Sequence, residues 1–177
     1  MSVHDANPTD EEIVLANGRK DANVASIEEF SGVRQGSAAR VLLVNDSATV
    51  RESTSAHLRA SGFAVTLASN GFEALARVVQ NRPDIVFADA SMPELDGYQI
   101  CALLKSNSNY CHIPVIMMTG REGLVDQERA ALVGCDTHIS KPFTAQTLNS
   151  AACKVSLLHQ IDDVMPQAVP VNNHRPG

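Results

Sequence analysis

The sequence predicts an α/β fold in three layers, a doubly wound parallel sheet of five strands with helices on both faces. Five short apolar runs alternate with five segments that have helical periodicity. The apolar runs, such as Val41 to Val44 and Ile85 to Ala88, lack the polar alternation of a strand with one face in water. Strands buried on both faces and joined by helices form parallel sheets, which is the architecture we expect here.

The strands are predicted from apolar runs that are too short for independent helices. We expect them at Val41–Val44, Phe63–Leu67, Ile85–Ala88, Val115–Met118 and about Thr137–Ser140.

The helices between these strands are predicted from capping residues and apolar periodicity. Ser47, Asn70 and Thr144 are expected N-caps, and Gly134 is expected to end the fourth helix. The first helix should run to about Ala60, the third from Tyr98 to about Asn107, and the fourth from about Leu124 to Val133. On the second helix Phe72, Leu75, Val78 and Val79 share one face, and the expected buried residues of the third are Ile100, Leu103 and Leu104.

The chain of 177 residues has room for one ordinary domain and two tails. Residues 1–39 are predicted to be a disordered acidic extension, with a docking motif at Ile27 to Phe30 as the alternative. The folded domain should cover 40–158. Residues 159–177 carry three prolines among polar residues and are predicted to be a flexible tail.

Charge and hydropathy exclude several functional classes. The formal net charge is -6 and basic residues do not cluster, so nucleic acid is not an expected partner. Neither a membrane-spanning run nor a secretory signal is visible, and the predicted location is the cytoplasm. The four cysteines (Cys101, Cys111, Cys135 and Cys153) are expected to be free and mostly buried, although Cys135 with His138 has the spacing of half a metal site.

Polar residues follow three of the predicted strands where each strand ends. Asp89 ends the third strand, Asn45 and Asp46 follow the first, and Lys141 follows the fifth. The carboxyl ends of parallel strands are where open α/β sheets place their chemistry. Carboxylates and an ammonium group that converge there can form an acceptor site for a phosphoryl group. Taken singly, Asp46 fits the role of a turn or cap residue about as well.

Five blocks of the sequence resemble the receiver domain of bacterial response regulators, the module that accepts phosphate from a histidine kinase. They are Val41–Ser47, Phe87–Asp89, Met92–Gly97, Met117–Gly120 and Ser140–Phe143, and they cover the expected folded part in order. The resemblance implies the flavodoxin-like strand order 2-1-3-4-5. It also implies that the Lys141–Pro142 peptide bond is often cis.

The resemblance assigns a role to each matching residue. Asp89 is the expected nucleophile that becomes 4-aspartylphosphate, with Lys141 and Thr119 on oxygens of the phosphoryl group. Gly120 leaves room for that group. Mg²⁺ is the expected cofactor, because it prefers oxygen ligands. Its expected ligands are Asp46, Asp89, the backbone carbonyl of Ser91 and, through a water molecule, Asn45.

Two positions depart from the family's pattern. Most receivers have two acidic residues after the first strand, whereas this chain has Asn45 before Asp46, so we expect weaker Mg²⁺ binding. His138 replaces the aromatic residue that swings inward when the switch threonine, here Thr119, moves onto the phosphate. His138 is either a switch residue or a surface residue, and the sequence does not separate the two.

The predicted function is that of a single-domain response regulator that is not an enzyme beyond its own phosphorylation and dephosphorylation. Its expected partners are a chemotaxis-type histidine kinase and a downstream protein, with the chain a monomer or weak dimer. Within the family, 96–105 and 118–126 resemble regulators of type IV pilus twitching motility and related chemotaxis-like systems. One alternative is a pseudo-receiver that binds without phosphorylation, which Asn45 favours. A phosphatase of the haloacid-dehalogenase type is disfavoured, because Ser91 stands where it needs a second aspartate.

Overall fold

The computed structural model describes residues 33–34, 37–120 and 123–164. Five strands form one parallel sheet: β1 (Arg40–Val44), β2 (Ala64–Ala68), β3 (Ile85–Asp89), β4 (Val115–Thr119) and β5 (Thr137–Ser140). Their order across the sheet is β2-β1-β3-β4-β5, with all neighbours parallel. The predicted order 2-1-3-4-5 is confirmed, and the predicted strand bounds differ by one residue at most.

Five helices connect and follow these strands: α1 (Ala48–Ala60), α2 (Gly71–Asn81), α3 (Gly97–Lys105), α4 (Gly123–Leu132) and α5 (Ala145–Val164). Ser47 and Asn70 accept hydrogen bonds from the first turns of α1 and α2, and Thr144 does the same for α5. Gly134 follows α4 with φ of +75°, a left-handed conformation that glycine adopts without strain. The predicted caps are therefore confirmed.

The sheet separates two apolar cores, which makes the three predicted layers. Leu42 and Val44 of β1 point to one face, and their cluster includes residues of α2, α3 and α4. Val41 and Leu43 point to the other face, toward α1 and α5. Successive side chains of a strand alternate between faces, so both faces are buried only if every residue is apolar. That requirement explains the unbroken apolar runs of the sequence.

The buried faces of α2 and α3 differ from the predicted ones. Phe72 and Val79 of α2 are 61% and 59% exposed, and Leu103 of α3 is 47% exposed. The buried stripe of α2 is Gly71, Ala74 and Val78. A Cβ atom at Gly71 would lie 2.5 Å from the carbonyl oxygen of Leu95, so this close approach fixes the rotation of the helix. Phe72 and Val79, the large apolar residues beside this stripe, are therefore exposed to solvent.

The ends of the domain also differ from expectation. Helix α5 continues to Val164, past the predicted boundary at 158. Val33–Arg34 pairs with Ser37–Ala38 as a short antiparallel ribbon, inside the stretch predicted to be a disordered extension. The possible docking motif at Ile27 to Phe30 lies outside the described residues.

An exposed contact ties α4 to the start of α3. Asp96, the N-cap of α3, forms a capping box with Gln99. The Arg129 guanidinium of α4 donates to Asp96 Oδ2 at 3.1 Å and lies 4.3 Å from the centroid of the Tyr98 ring. Asp96 immediately precedes Gly97, which abuts the end of β3, so this contact lies close to the carboxyl edge of the sheet.

Candidate functional site

Asp89 lies at the carboxyl end of β3 and is only 3% exposed. Its Oδ1 accepts a hydrogen bond from the backbone N–H of Ser91 at 3.1 Å. Its Oδ2 accepts one from Asn45 Nδ2 at 2.5 Å and one from Lys141 Nζ at 2.6 Å. Residues from the ends of three strands thus meet at one carboxylate, as the sequence predicted.

The loop after β1 brings Asn45 to this carboxylate. Asn45 is 1% exposed, and its backbone N–H donates to the Ala68 carbonyl at the end of β2. Its side-chain oxygen accepts from the backbone N–H of Ser47 at 2.8 Å. Arg51 Nη1 donates to the backbone carbonyls of Asn45 and Asp46, at 2.6 and 3.0 Å, and so fixes the loop to the first turn of α1. The side chain of Asp46 is exposed.

Lys141 and Thr119 come from the far side of the sheet. The Lys141 backbone N–H donates to the Thr119 carbonyl at 2.8 Å, and the Lys141–Pro142 peptide bond is cis, as expected from the resemblance. The Thr119 side chain is buried, and its hydroxyl donates to the Ile139 carbonyl at 3.4 Å. Lys141 therefore already contacts Asp89, whereas the Thr119 hydroxyl is engaged with β5.

Two glycines shape the site in opposite ways. A Cβ atom at Gly97 would lie 2.3 Å from the backbone oxygen of Asp89, so only glycine fits where α3 meets the end of β3. A Cβ atom at Gly120 would meet no heavy atom within 4 Å among the described residues. The open space at Gly120 agrees with the prediction that this position leaves room for an incoming group.

His138 is buried in β5, with 7% of its surface exposed. The strand register pairs it with Met117 of β4. The alternative that His138 is a surface residue is therefore wrong, because the side chain lies within the protein. Its role as a switch residue stays a prediction.

The oxygen atoms at the end of the sheet suit a magnesium ion. The Asp46 and Asp89 carboxylates and the Ser91 carbonyl are the hard oxygen donors that Mg²⁺ prefers, and Mg²⁺ needs only one or two carboxylates from a protein. The Asn45 side-chain oxygen accepts from the Ser47 N–H, and its NH₂ group faces Asp89. An amide oxygen has two lone pairs, so the water-mediated contact of Asn45 with the ion stays a prediction.

The cysteines do not form a metal site in the part of the chain that the structure describes, where no group of three or more His, Cys, Asp or Glu side chains could hold a metal. Cys101, Cys135 and Cys153 are buried free thiols, and Cys111 is exposed. A hydrogen bond with Cys101 and burial raise the pKa of the Cys135 thiol well above its ordinary value. No further ligands join Cys135 and His138 among the described residues, so the suggested half-site is not completed there.

Sequence reasoning missed three features of this site. It did not anticipate the contact of Asn45 with the nucleophile, the loop contacts of Arg51, or the close approach at Gly97. In the sequence, Gly97 stands out only as the end of the block Met92–Gly97 that resembles the receiver family. Arg51 had a usable signal, since it lies in the first turns of the helix that follows the loop.

None of the helices in the described ranges is long and apolar enough to cross a membrane.

The family model described as "Response regulator receiver domain" matches residues 41–152. Protein PilG of Pseudomonas aeruginosa is 40% identical over 118 residues, which cover 67% of this chain and 87% of PilG. Response regulator MprA of a Mycobacterium species is 37% identical over 109 residues, 62% of this chain but only 46% of MprA.

Solved structures of response regulator proteins also resemble this chain. The chemotaxis protein CheY4 of Vibrio cholerae superposes with a TM-score of 0.63 at 31% identity, covering 66% of this chain and 98% of CheY4. A receiver domain protein of Clostridium thermocellum superposes with a TM-score of 0.65 at 29% identity, covering 70% of this chain and 98% of that one. The fold, the strand-end residues and the family match together establish that this chain belongs to the response regulator receiver domain family.

Proposed function

We propose that this chain is a phosphorylation switch that accepts a phosphoryl group on Asp89 from a histidine kinase and signals by binding another protein. The observation that carries the proposal is the contact of a lysine ammonium with a buried carboxylate at the end of a parallel strand. A buried carboxylate that accepts three hydrogen bonds is held in one orientation. A fixed orientation is what an in-line attack on phosphorus requires.

The proposed step joins Asp89 to phosphorus and releases the donor. A carboxylate oxygen of Asp89 forms a bond to phosphorus while the bond from phosphorus to the donor's imidazole nitrogen breaks, and that nitrogen keeps the electron pair. The product is an acyl phosphate. Both reactants are anionic, so the protein must compensate charge. In the part of the chain that the structure describes, Lys141 brings its positive charge into contact with the reacting carboxylate.

The metal-binding residues of this step are Asp46, Asp89 and the backbone carbonyl of Ser91. A bound Mg²⁺ supplies positive charge that offsets the negative charge of the phosphoryl oxygens. Asp46 is exposed to solvent, whereas Asp89 is buried, so a phosphodonor would reach the site from the side of Asp46. With one carboxylate fewer than most receivers have, this site should bind Mg²⁺ more weakly.

Thr119, Gly120 and His138 are the proposed readout of phosphorylation. The Thr119 hydroxyl would leave the Ile139 carbonyl and bond to a phosphoryl oxygen, in the space that Gly120 keeps open. That movement would remove the hydrogen bond between Thr119 of β4 and Ile139 of β5, and Ile139 is the residue that follows His138. The chain catalyses only its own phosphorylation and dephosphorylation in this proposal, and the binding face would include β5 and its flanking helices.

The proposed pathway is a chemotaxis-like system, with control of pilus motility as its narrower form. The likeness to PilG and to a chemotaxis CheY protein supports it, as do the segments at 96–105 and 118–126. The expected partners are a chemotaxis-type kinase and a downstream target in the cytoplasm, with the chain itself a monomer or weak dimer.

Treatment with beryllofluoride and Mg²⁺ tests the proposed function against the pseudo-receiver alternative. Beryllofluoride imitates a phosphoryl group on a carboxylate. We expect amide chemical shifts in nuclear magnetic resonance (NMR) spectra to change around Asp89, Thr119 and β5, and acetyl phosphate to produce the same pattern. Spectra that stay unchanged with both reagents at saturating Mg²⁺ would favour the pseudo-receiver.

Substitution of His138 tests the readout. His138→Ala should remove most of the beryllofluoride-induced shifts in β5 while those near Asp89 persist, because the buried side chain would transmit the Thr119 movement. His138→Phe, which restores an aromatic ring, should keep the shifts in β5. Equal shifts in β5 for wild type and His138→Ala would eliminate the switch role.

A further inference from the structure

The orientation of the Asn45 side chain is set by its two hydrogen bonds. Its oxygen must face Ser47, because the Ser47 backbone N–H can only donate. The NH₂ group therefore faces Asp89, and it donates to Oδ2. A carboxylate can only accept when it is ionised, so a reversed amide would place two acceptors against each other. The amide thus serves as a donor to the nucleophile.

Asn45 and Lys141 hold the same oxygen of Asp89 from two sides. Asn45 and Asp89 are 1% and 3% exposed, so water contributes little to solvating this carboxylate. A buried carboxylate needs donors or a cation around it. Among the described residues, an amide, an ammonium group and a backbone N–H donate to this carboxylate, and together they hold the side chain in place without a divalent ion.

An aspartate at 45, which the family pattern most often has, would create the opposite situation. Its two oxygens would both be acceptors, and one of them would lie against Asp89 Oδ2 at the place where the amide now donates. Two carboxylates in contact repel unless a cation lies between them or one of them takes a proton. Lys141 supplies one positive charge at that oxygen but not a second, so the resting geometry would lose stability when Mg²⁺ is removed.

We infer that Asn45 is a positioning residue that holds the Asp89 carboxylate in its resting place without a divalent cation. The inference rests on the proposed function, in which Asp89 is the phosphoacceptor. Arg51 contributes by bonding the Asn45 and Asp46 carbonyls, which keeps the loop where the amide can reach Asp89. The position of the Asp89 carboxylate therefore does not depend on metal binding. Bound Mg²⁺ would act only in phosphoryl transfer.

Thermal unfolding of the full chain, with a chelator or with saturating Mg²⁺, tests this role. Binding of Mg²⁺ to the folded state should raise the Tm of wild type by a small amount, because its site is weak. Asn45→Asp should lose about 4 to 8 °C relative to wild type in chelator and show a larger rise with Mg²⁺ than wild type does. Asn45→Ala should lose stability in both conditions, since it removes the donor without adding a ligand. Asn107→Asp is the matched control at an exposed position, and its Tm should follow that of wild type in both conditions.

A second measurement uses the wild-type chain, in case Asn45→Asp fails to fold in chelator. The side-chain amide protons of Asn45, assigned by their loss in Asn45→Ala, should exchange slowly with water in chelator, whereas those of exposed Asn107 exchange fast. Fast exchange at Asn45 would overturn the inference, and so would equal Mg²⁺ dependence of the Tm in wild type and Asn45→Asp. If the stability pattern holds but the chain accepts no phosphoryl group, the proposed function fails while Asn45 still holds Asp89.

Discussion

We expect Asp89→Asn to abolish phosphotransfer from a purified chemotaxis-type kinase, while the chain stays folded. Asparagine has the shape of aspartate but not its nucleophilic oxygen, so an acyl phosphate cannot form. The single amide oxygen can face either Lys141, at the place of Oδ2, or the Ser91 N–H, at the place of Oδ1, so one of these hydrogen bonds is lost. The backbone of β3 keeps its pairing with both neighbouring strands, and the fold should survive. The measurement is transfer of labelled phosphate from the kinase, with circular dichroism to verify folding.

The matched control for this variant is a substitution of Asp84, at the amino end of β3. Asp84 precedes β3 and bonds to Arg40 through both carboxylate oxygens. Asp84→Asn changes the same chemical group at the amino edge of the sheet, and it should leave phosphotransfer unchanged. Labelled phosphate that remains on Asp89→Asn would show that another residue is the acceptor and would remove the basis of the proposed site.

Gly97→Ala should be the most destabilising single substitution near the site, with a loss of about 3 kcal/mol or more in the free energy of unfolding. The added Cβ atom would lie 2.3 Å from the Asp89 backbone oxygen and 2.8 Å from the sulfur of Met117. The Asp89 backbone oxygen belongs to β3, a central strand, and it cannot move aside without breaking hydrogen bonds of the sheet. Relief would therefore come from displacing α3. Denaturant unfolding of the full chain measures the loss.

Gly120→Ala provides the comparison, because it changes glycine to alanine at the same edge of the sheet. Its Cβ atom would meet no described atom within 4 Å, so the free energy of unfolding should change by less than about 1 kcal/mol. Similar losses for the two variants would mean that the close approach of α3 to β3 is not what requires glycine at 97.

The parts of the fold that depend on local patterns could be predicted from the sequence. The apolar runs located the strands to within a residue, and Ser47, Asn70 and Thr144 marked the starts of their helices. The convergence of Asp89 and Lys141 was also predictable, since a parallel sheet brings its carboxyl ends together. The strand order itself came from the family resemblance.

What could not be predicted depends on contacts between distant parts of the chain. The rotation of α2 is set by the approach of Gly71 to Leu95. Helical periodicity alone therefore placed Phe72 and Val79 on the buried face, whereas both are exposed. The hydrogen bonds of the Asn45 side chain with the Ser47 N–H and with Asp89 depend on the geometry of the loop after β1, which the sequence alone does not give. The water-mediated role of Asn45 stays a prediction.

The bridge from Arg129 to Asp96 and Tyr98 makes the attachment of α4 sensitive to ionic strength. Arg129 is 53% exposed in its side chain, so dissolved ions screen its attraction to Asp96. The contact with the Tyr98 ring adds a cation–π attraction that also weakens in water. A rise in salt concentration would weaken this exposed contact between α4 and α3 more than the less exposed contacts of Asp89 with Asn45 and Lys141, so ionic strength would affect the helix more than the Asp89 carboxylate.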